Sequence, residues 1–296
     1  MKKLNVYVSQ RGEDNYTDKR NECFGRGLDK MGHKVTYGPR DRPVPPGTDL
    51  VIQTAFAATG ALRSAIEHKI PYVISEAPVW RPGNRDHWET THVSWAFNGL
   101  LGGGLRLEPP QVERTHPILM PMRLTMGKGP TYIIGQKPND HSLPAGHDHV
   151  EWIKKEMYKY PDATLRHHPH MHRDPQQQEH LADLLDRAGF LITFSSTVGA
   201  DALIFGCPGV ARCETSAAYN IGLPGYDTRE AWAHRWSWQT GTFEEVADPG
   251  TGLLDHLLDN YDYAADTASL GKVQIPRDKL DSLPMMHKYL KEFGNA

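Results

Sequence analysis

The chain has 296 residues, of which 39% are hydrophobic and 23% are charged, and its formal net charge is -3 at pH 7. It is longer than a typical single domain of roughly 100 to 200 residues, so its length predicts two modest α/β domains. The composition is that of an ordinary globular protein. No apolar run approaches the roughly 18 residues that cross a bilayer, which argues against a membrane-spanning helix.

The cysteines and the first residues bear on the cellular compartment. Cys23, Cys207 and Cys213 make an odd number without CxxC spacing, which argues against a disulfide framework and against a thiolate metal site. The apolar stretch that begins at Leu4 is short and runs into charged residues, unlike a signal peptide. We therefore expect a cytoplasmic protein.

Charge is distributed unevenly along the chain. Residues 1–130 contain 18 Lys and Arg against 13 Asp and Glu, whereas residues 131–296 contain 15 against 23. A basic first half attracts anionic partners such as DNA or an acidic glycan, although an excess of this size is also typical of a solvated surface.

The first half alternates short apolar runs with segments of helical periodicity. The predicted strands cover residues 4–8, 34–37, 49–53 and 70–75, and the predicted helices cover about 18–31 and 60–68. Strands joined by helices predict a parallel sheet, because parallel neighbours need a crossover connection.

The same alternation resumes after a segment rich in Gly and Pro at 121–130. Strands are predicted at 131–135, 163–169, 190–194 and 208–212, and helices at about 147–160, 176–188, 197–206 and 277–294. We therefore predict two α/β domains with parallel sheets, over 1–128 and 129–276. A terminal helix over 277–296 follows, for which the first domain is one possible packing site.

The first group of candidate ligand-binding residues lies in the loop from Gly135 to His149. This loop follows a predicted strand, and loops at the carboxyl ends of parallel strands are where ligands bind. Gln136 offers donors and acceptors, and Asp140 with Ser142 is suited to hold a ribose or sugar hydroxyl. A polar surface loop is the alternative interpretation.

The second group is the histidine-rich segment from Arg166 to His172. Arg166, His168 and His170 are suited to donate hydrogen bonds to a diphosphate or phosphodiester. A zinc site is disfavoured because Pro169 breaks the strand and Asp174 is the nearest carboxylate in the sequence. A purely structural role is the third interpretation.

The third group is the turn between a predicted strand and the helix that begins near Val198. Ser195, Ser196 and Thr197 are predicted to cap that helix while its amide groups face outward and bind a phosphate. Asp201, one turn into the helix, is placed to reach ribose hydroxyls. An ordinary capped helix packed on a sheet is the alternative.

In this order, the segments QKPNDHSL, PDATLRHHPH and SSTVGADALIFGCPGV resemble the cytidine-nucleotide Kdo transferases and related capsule glycosyltransferases. Those enzymes have a Gln-Val-x-x-Asp-Ala-Ser loop, a Lys/Arg-x-His-Pro strand end and a Ser-x-x-Gly-x-Glu-Ala-Leu helix start. The resemblance spans about 80 residues of the second half. It implies a GT-B fold, in which two Rossmann-like domains face a cleft and the second domain holds the nucleotide-sugar. It carries over to Gln136, Asp140, Ser142, His168, Pro169, Ser196, Thr197, Gly199 and Asp201, and Asp201 stands where the family has Glu.

The first domain is then expected to hold the acceptor and the catalytic base. Glu76 is the main candidate, because it follows a predicted strand and precedes APVWRPGNRDHW, so that its carboxylate lies at the carboxyl end of a strand. Asp86 and Glu89 are the other candidates, and each is also compatible with plain surface charge. The segment is similar to the strand-Asp-x-x-x-Pro turn that carries the base in T-even phage DNA glucosyltransferases.

Together these patterns predict a metal-independent glycosyltransferase that binds no cofactor and uses a UDP- or CMP-linked sugar donor. The acceptor is expected to be anionic, either a glycan of capsule type or a hydroxymethylated DNA base of phage type. Two alternatives remain, a nucleotide-sugar epimerase of the GT-B type and a nucleotide-binding module without catalytic activity.

Overall fold

The computed structural model describes residues 2–12, 16–55, 57–80, 91–114, 118–123, 128–138, 140, 142–171, 179–269 and 282–293. The chain divides into two compact units. The first unit comprises Met1–His116 and Ala231–Ile275, and the second comprises Pro117–Glu230 and Pro276–Ala296. Among the described residues, none of the helices has the length and apolar character needed to cross a membrane.

The described residues form ten strands and ten α-helices. The strands are β1 (Asn5–Gln10), β2 (Lys34–Pro39), β3 (Leu50–Thr54), β4 (Tyr72–Glu76), β5 (His92–Phe97), β6 (Thr131–Ile134), β7 (Thr164–Arg166), β8 (Phe190–Thr193), β9 (Gly209–Ala211) and β10 (Thr240–Thr242). The helices are α1 (Tyr16–Lys30), α2 (Gly60–Glu67), α3 (His149–Lys159), α4 (Leu181–Arg187), α5 (Val198–Ile204), α6 (Arg229–Ser237), α7 (Phe243–Val246), α8 (Leu253–Asp259), α9 (Tyr261–Ser269) and α10 (Ser282–Phe293).

The sheet of the first unit has six strands in the order β10-β5-β4-β3-β1-β2. The strand pairs β1-β2, β1-β3 and β3-β4 are parallel, as the alternation of strands and helices predicts. Strand β5 runs antiparallel to β4, and β10 runs antiparallel to β5. The expectation of an all-parallel first sheet therefore holds for β1, β2, β3 and β4 and is wrong for β5 and β10. The fully buried runs of β3 and β4 fit strands that are covered on both faces.

Helix α1 packs on this sheet through one face. Asn21, Phe24 and Leu28 have the i, i+3, i+7 spacing of one helical face, and each is at most 2% exposed. Phe24 and Leu28 join a hydrophobic core that also contains Val246 and Leu254. Burying a large apolar side chain contributes about 1.5 to 3 kcal/mol. Helices α7 and α8 therefore pack in the core of the first unit.

This packing changes the domain division that the sequence predicts. Residues 231–275 lie with the first unit, whereas the sequence places them in the second domain. The boundary on the N-terminal side lies between His116 and Pro117 instead of after residue 128. The physical reason is that the apolar side chains of the segment, such as Trp238 and Phe243, complete the core under the first sheet.

The sheet of the second unit has four parallel strands in the order β7-β6-β8-β9. One core cluster includes Ile133, Ile153 and Ile192, and another includes Ile134, Leu185 and Leu191. Adjacent residues of β6 and β8 thus enter different clusters, because side chains alternate between the two faces of a strand. The second sheet is covered on both faces, as expected for a doubly wound α/β unit.

The terminal helix α10 belongs to the second unit. Its Tyr289 is fully buried in the cluster around Ile133, and burial raises the pKa of the Tyr289 hydroxyl. The Nζ of Lys288 lies 2.5 Å from Asp148 and 3.2 Å from Glu151, both at the start of α3. The sequence leaves the packing site of this helix open, and the structure groups the helix with the second unit.

Candidate functional site

The carboxyl edge of the second sheet gathers the three groups of candidate residues. Because β6, β7, β8 and β9 are parallel, the loops that follow them leave the same edge. Gln136 follows β6, His168 follows β7 and Ser195 follows β8. Side chains from three separate segments of the chain therefore lie along one edge.

Gln136 lies at the centre of a buried hydrogen-bonded framework. Its Oε1 accepts from the backbone N–H of Ser195 at 2.8 Å and lies 3.3 Å from the Ser195 hydroxyl. Its Nε2 donates to the Ser195 hydroxyl at 3.0 Å and to the Ser142 hydroxyl at 3.1 Å. The two serine hydroxyls are 2.8 Å apart. The loops after β6 and β8 are thus joined side chain to side chain.

These contacts use the full hydrogen-bonding capacity of the Gln136 amide, which has two donors and two acceptor lone pairs. Gln136 is 3% exposed and Ser195 is 4% exposed. The sequence predicts that Gln136 contacts a ligand directly, whereas in the structure its amide bonds to Ser195 and Ser142. Gln136, Ser142 and Ser195 form a supporting framework, and Ser196, Thr197 and His168 on the same edge are partly exposed.

The loop after β6 is fixed at both ends. The N–H of Gln136 donates to Nε2 of His149, which is fully buried, at 3.0 Å. Asp140 accepts from the N–H of Ser142 at 2.8 Å, which closes a tight turn. These contacts hold Gln136 and Ser142 in place within the second unit. Sequence reasoning did not single out His149, although it is the last residue of the predicted loop and lies in the first turn of a predicted helix.

The loop after β9 joins the same framework through Thr215, which sequence reasoning also missed. The Thr215 hydroxyl donates to the backbone carbonyl of Ser142 at 2.8 Å. Thr215 is 5% exposed. Three of the four loops of this edge are therefore linked by buried polar contacts. Nothing in the sequence around Thr215 marks it, because its partner lies 73 residues away.

The turn between β8 and α5 is capped differently from the prediction. Thr197 occupies the capping position without a side-chain hydrogen bond, and the hydroxyl of Ser196 accepts from the N–H of Val198 at 3.3 Å. The N–H groups of Gly199 and Ala200 donate to the carbonyls of Ser196 and Thr197. The first amides of this helix of 7 residues thus already have acceptors, so the outward-facing free amides predicted here are wrong.

The side chains of this turn divide into buried and accessible ones. Ser196 and Thr197 are partly exposed at the edge of the sheet. Asp201, the predicted ribose contact, is 6% exposed in the first turn of α5. The hydroxyls of Ser196 and Thr197 are therefore the groups of the turn that are open to a ligand.

The histidine-rich segment after β7 begins with Arg166. Its Nη1 donates to the carbonyl of Glu179 at 2.7 Å, and burial lowers the pKa of Arg166, with Glu179 opposing that shift. His167 is hydrogen-bonded through Nδ1 to the Tyr289 hydroxyl at 2.9 Å. His168 is partly exposed, and His170 lies in a short 3-10 helix, Pro169–Met171. Arg166 and His168 thus place polar groups beside the framework, while His167 holds the terminal helix.

The zinc interpretation gains no support from the geometry of the described residues. Within those ranges, no three His, Cys, Asp or Glu side chains are grouped so as to hold a metal ion. His172, the last histidine of the segment, lies outside the described residues.

A cavity of about 610 Å³ lies in the second unit beside the framework. Ligand pockets typically enclose roughly 300 to 1,000 Å³. Its walls run along β8 and β9, from Phe190 and Gly209 at their amino ends to Thr193 and Ala211 at their carboxyl ends, and include Gly199 of α5. Thr193 is fully buried, and its hydroxyl has no hydrogen-bond partner in the described part of the chain. An apolar cavity with one unsatisfied hydroxyl is suited to a ligand that carries a matching polar group.

Glu76 lies at the carboxyl end of β4 in the first unit, as predicted. The preceding residue, Ser75, is fully buried, and its hydroxyl lies 2.8 Å from Oδ1 of Asn21 and from the hydroxyl of Thr54. These contacts fix the end of the strand, and Glu76 itself is partly exposed. Asp86 and Glu89, the other candidate bases, lie outside the described residues.

Comparisons with known proteins bear on the fold of this chain. No protein-family model and no curated protein matches the sequence. The solved structure of Thermosulfurimonas dismutans KpsC, beta Kdo 2,4 transferase, matches with a TM-score of 0.50 and 13% identity, over 83% of this chain and 99% of that chain. A second match, beta Kdo 2,7 transferase of the same KpsC, has a TM-score of 0.46 and 10% identity, over 86% and 100%. Spinosyn forosaminyltransferase SpnP matches with a TM-score of 0.23 and 12% identity, over 98% and 99%. The first match, with the two α/β units, confirms the predicted two-domain, Rossmann-like fold of the GT-B type.

Proposed function

We propose that this chain is a glycosyltransferase that moves a sugar from a nucleotide-activated donor to an acceptor hydroxyl. The observation that carries the proposal is the carboxyl edge of the second sheet, in a fold like that of a Kdo transferase. There, a buried framework around Gln136 joins loops from β6, β8 and β9 and leaves other polar side chains accessible. A rigid edge with accessible donors is what binding of a phosphorylated ligand requires.

We assign donor binding to the second unit. Ser196 and Thr197 supply hydroxyls from one loop, and Arg166 and His168 supply N–H donors from another. Arginine remains protonated even when burial lowers its pKa, so Arg166 presents a positive charge to the donor phosphates. The cavity beside Thr193 has room for the base or the sugar of the donor.

We assign the acceptor and its deprotonation to the first unit. In the proposed reaction, the acceptor oxygen forms a bond to the anomeric carbon, and the bond from that carbon to the phosphate oxygen breaks. Glu76 takes the proton from the acceptor hydroxyl, and the nucleotide leaves with the electron pair of the broken bond. Arg166 and His168 stabilise the charge that develops on the leaving phosphate. Because protein groups supply this charge, we expect transfer to continue in the presence of a chelator.

A donor screen tests the proposal. A ligand that binds the native state raises the melting temperature, so UDP-, CMP-, GDP- and TDP-sugars are compared by thermal shift. We expect one class to stabilise the protein, and mass spectrometry then shows sugar transfer from that donor to an acceptor. The Thr197→Val variant is expected to weaken the shift, whereas Thr228→Val, an exposed position of the same unit, is the matched control.

Other outcomes separate the alternatives. Conversion of the donor sugar to an epimer without any acceptor indicates an epimerase. Donor binding without turnover across neutral glycans, acidic glycans and hydroxymethylated DNA indicates a binding module. Failure of every nucleotide-sugar to raise the melting temperature contradicts the proposal.

A further inference from the structure

The first unit carries a pair of arginines that the reaction described above does not use. Gln10 and Pro39 are register partners at the ends of the parallel strands β1 and β2. Arg11 follows Gln10 and Arg40 follows Pro39, so both leave the carboxyl edge of the sheet side by side. The N–H of Arg40 donates to the carbonyl of Gln10 at 2.9 Å, which holds the two chain segments together.

The two guanidinium groups are close enough to repel each other. Burial lowers the pKa of Arg40, and the positive charge of Arg11 lowers it further. The Nη1 atom of Arg40 is buried and has no hydrogen-bond partner within the described ranges. A buried N–H without an acceptor is unfavourable, so the arrangement favours an anion that accepts from it.

Two carboxylates of the described part of the chain act on this charge. Asp18 and Asp41 both raise the pKa of Arg40 through their charges. Asp18 is buried, and its Oδ1 accepts from the backbone N–H of Arg11 at 2.9 Å, so it is engaged in shaping the loop. Arg42 adds a further positive charge in the loop after β2. Among these five described residues the positive charges exceed the negative ones.

We propose that Arg11 and Arg40 form a subsite for an anionic group of the acceptor, a carboxylate or a phosphate. Two arginines side by side suit such groups, because each guanidinium presents paired N–H donors to two oxygens. The subsite lies on the same sheet edge as Glu76. This inference rests on the proposed function, and it names the acceptor as an acidic glycan.

The strand order sets the distance between the two arginines and Glu76 along the edge of the sheet. Strand β1 is two positions from β4 in the sheet, and β2 is three positions away. Neighbouring strands are about 4.8 Å apart, so Arg11 and Arg40 leave the sheet about 10 to 14 Å from the end of β4. A glycan of two or more sugar residues is long enough to reach from this subsite to Glu76.

A DNA acceptor fits this surface less well. Binding to duplex DNA uses many phosphate contacts along a basic stripe. Here two arginines are flanked by Asp18 and Asp41, which would repel a continuous run of phosphates. A single anionic group bound between the guanidiniums avoids those carboxylates.

Calorimetric titration tests the subsite with three tetrasaccharide probes: tetragalacturonate, a glucan tetrasaccharide with one phosphate monoester, and neutral maltotetraose. We expect the wild-type protein to bind at least one acidic probe tenfold or more tightly than maltotetraose, and the two acidic arms tell carboxylate from phosphate. Arg40→Gln and Arg11→Gln are each expected to weaken binding of that probe at least tenfold. Lys34→Gln, at the opposite end of β2 in the same sheet, is the control that leaves it unchanged.

Arg11 is exposed, so Arg11→Gln keeps the test valid even where Arg40→Gln unfolds the protein. Donor binding is measured in the same samples, because its absence from the wild-type protein counts against the proposed function and not against the subsite. Equal binding of acidic and neutral probes overturns the subsite, as does wild-type affinity in Arg11→Gln. Tighter binding of duplex DNA than of either acidic probe also overturns it.

Discussion

Gln136 and Ser195 are 59 residues apart in the chain, and both the backbone and the side chain of Ser195 are within hydrogen-bonding distance of the Gln136 amide. The pair joins the ends of β6 and β8, which are neighbours in the second sheet. An amide that uses all its donors and acceptors within the protein has none left for a ligand. Gln136 is therefore a positioning residue, which holds the loop that contains Ser196 and Thr197.

This relationship predicts a stability effect for Gln136→Leu. The substitution keeps much of the volume but leaves the buried N–H of Ser195 without its acceptor, so we expect the second unit to lose about 2 to 3 kcal/mol of unfolding free energy. Ser196→Ala is the matched control, because its partly exposed hydroxyl makes one long contact of 3.3 Å, and we expect it to cost under about 1 kcal/mol.

The sequence offers a specific probe for that measurement. Trp152 is the single tryptophan of the second unit, since the other six lie in the first. Its ring lies 5.3 Å from that of Phe194, next to Ser195. Urea unfolding followed by the 19F resonance of 5-fluorotryptophan at this position reports the second unit alone. Equal midpoints for Gln136→Leu and Ser196→Ala would contradict the positioning role.

Glu76→Gln tests the proposed base. The substitution keeps the size of the side chain and removes the proton acceptor, so we expect transfer to fall by about 100- to 10,000-fold. Donor binding, measured by thermal shift, is expected to remain. Glu67→Gln, at the exposed end of α2 in the same unit, is the control that keeps wild-type turnover. Unchanged transfer in Glu76→Gln removes Glu76 from the reaction.

The positions of the parallel strands could be predicted from the sequence, because each buried strand is a short apolar run with a polar residue at or just after its end. The strand Thr131–Ile134 is followed by Gly135 and Gln136, and the strand Phe190–Thr193 is followed within two residues by Ser195. The same rule places Glu76 at the end of β4. Residue order along one strand therefore predicts which residues reach the edge.

The partners of those residues could not be predicted, since they depend on tertiary contacts between distant segments. The sequence shows that Gln136 can donate and accept, but not that Ser195 and Ser142 use its amide completely. It also shows no boundary before Ala231, where the chain returns to the first unit. The sequence of α7 and α8 shows apolar side chains but not which core they enter. Only the packed structure shows that they enter the core of the first unit.

Gly27→Ala tests that assignment. A Cβ at Gly27, on the face of α1 that packs against α7 and α8, would lie 2.7 Å from the backbone carbonyl oxygen of Val246 and would also overlap the side chain of Leu254. The backbone oxygen cannot move without shifting α7, so we expect a loss of about 1 to 3 kcal/mol. Urea unfolding followed by total tryptophan fluorescence measures it, because six tryptophans lie in the first unit.

Gly25→Ala, on the same helix, is the matched control. A Cβ there meets the ring end of Tyr37, which is 41% exposed and is able to swing away. The gain in helix propensity, about 1 kcal/mol, offsets that movement. We expect Gly25→Ala to leave the unfolding free energy within about 1 kcal/mol of the wild type. Equal losses at the two positions would show that α7 and α8 do not pack on α1.

His256 predicts a pH dependence for the first unit. It is 3% exposed, and its ring lies 5.9 Å from that of Trp95 and 5.8 Å from that of Trp238. Burial lowers the pKa of His256 to about 4, while the charge of Asp259 acts in the opposite direction. In the unfolded chain, the pKa of a histidine is about 6.5. Between these values the unfolded chain binds a proton that the folded protein excludes.

The free energy of unfolding therefore falls as the pH decreases from about 6.5 to about 4, and the contribution of His256 across this window is about 3 kcal/mol. His256→Leu removes the titrating group, so its unfolding free energy is expected to depend less steeply on pH than that of the wild type. Carboxylates that titrate in this range act equally in both proteins, so the difference between slopes isolates His256. Parallel curves for His256→Leu and the wild type, from urea midpoints between pH 4 and 7, would mean that the imidazole is protonated within the core.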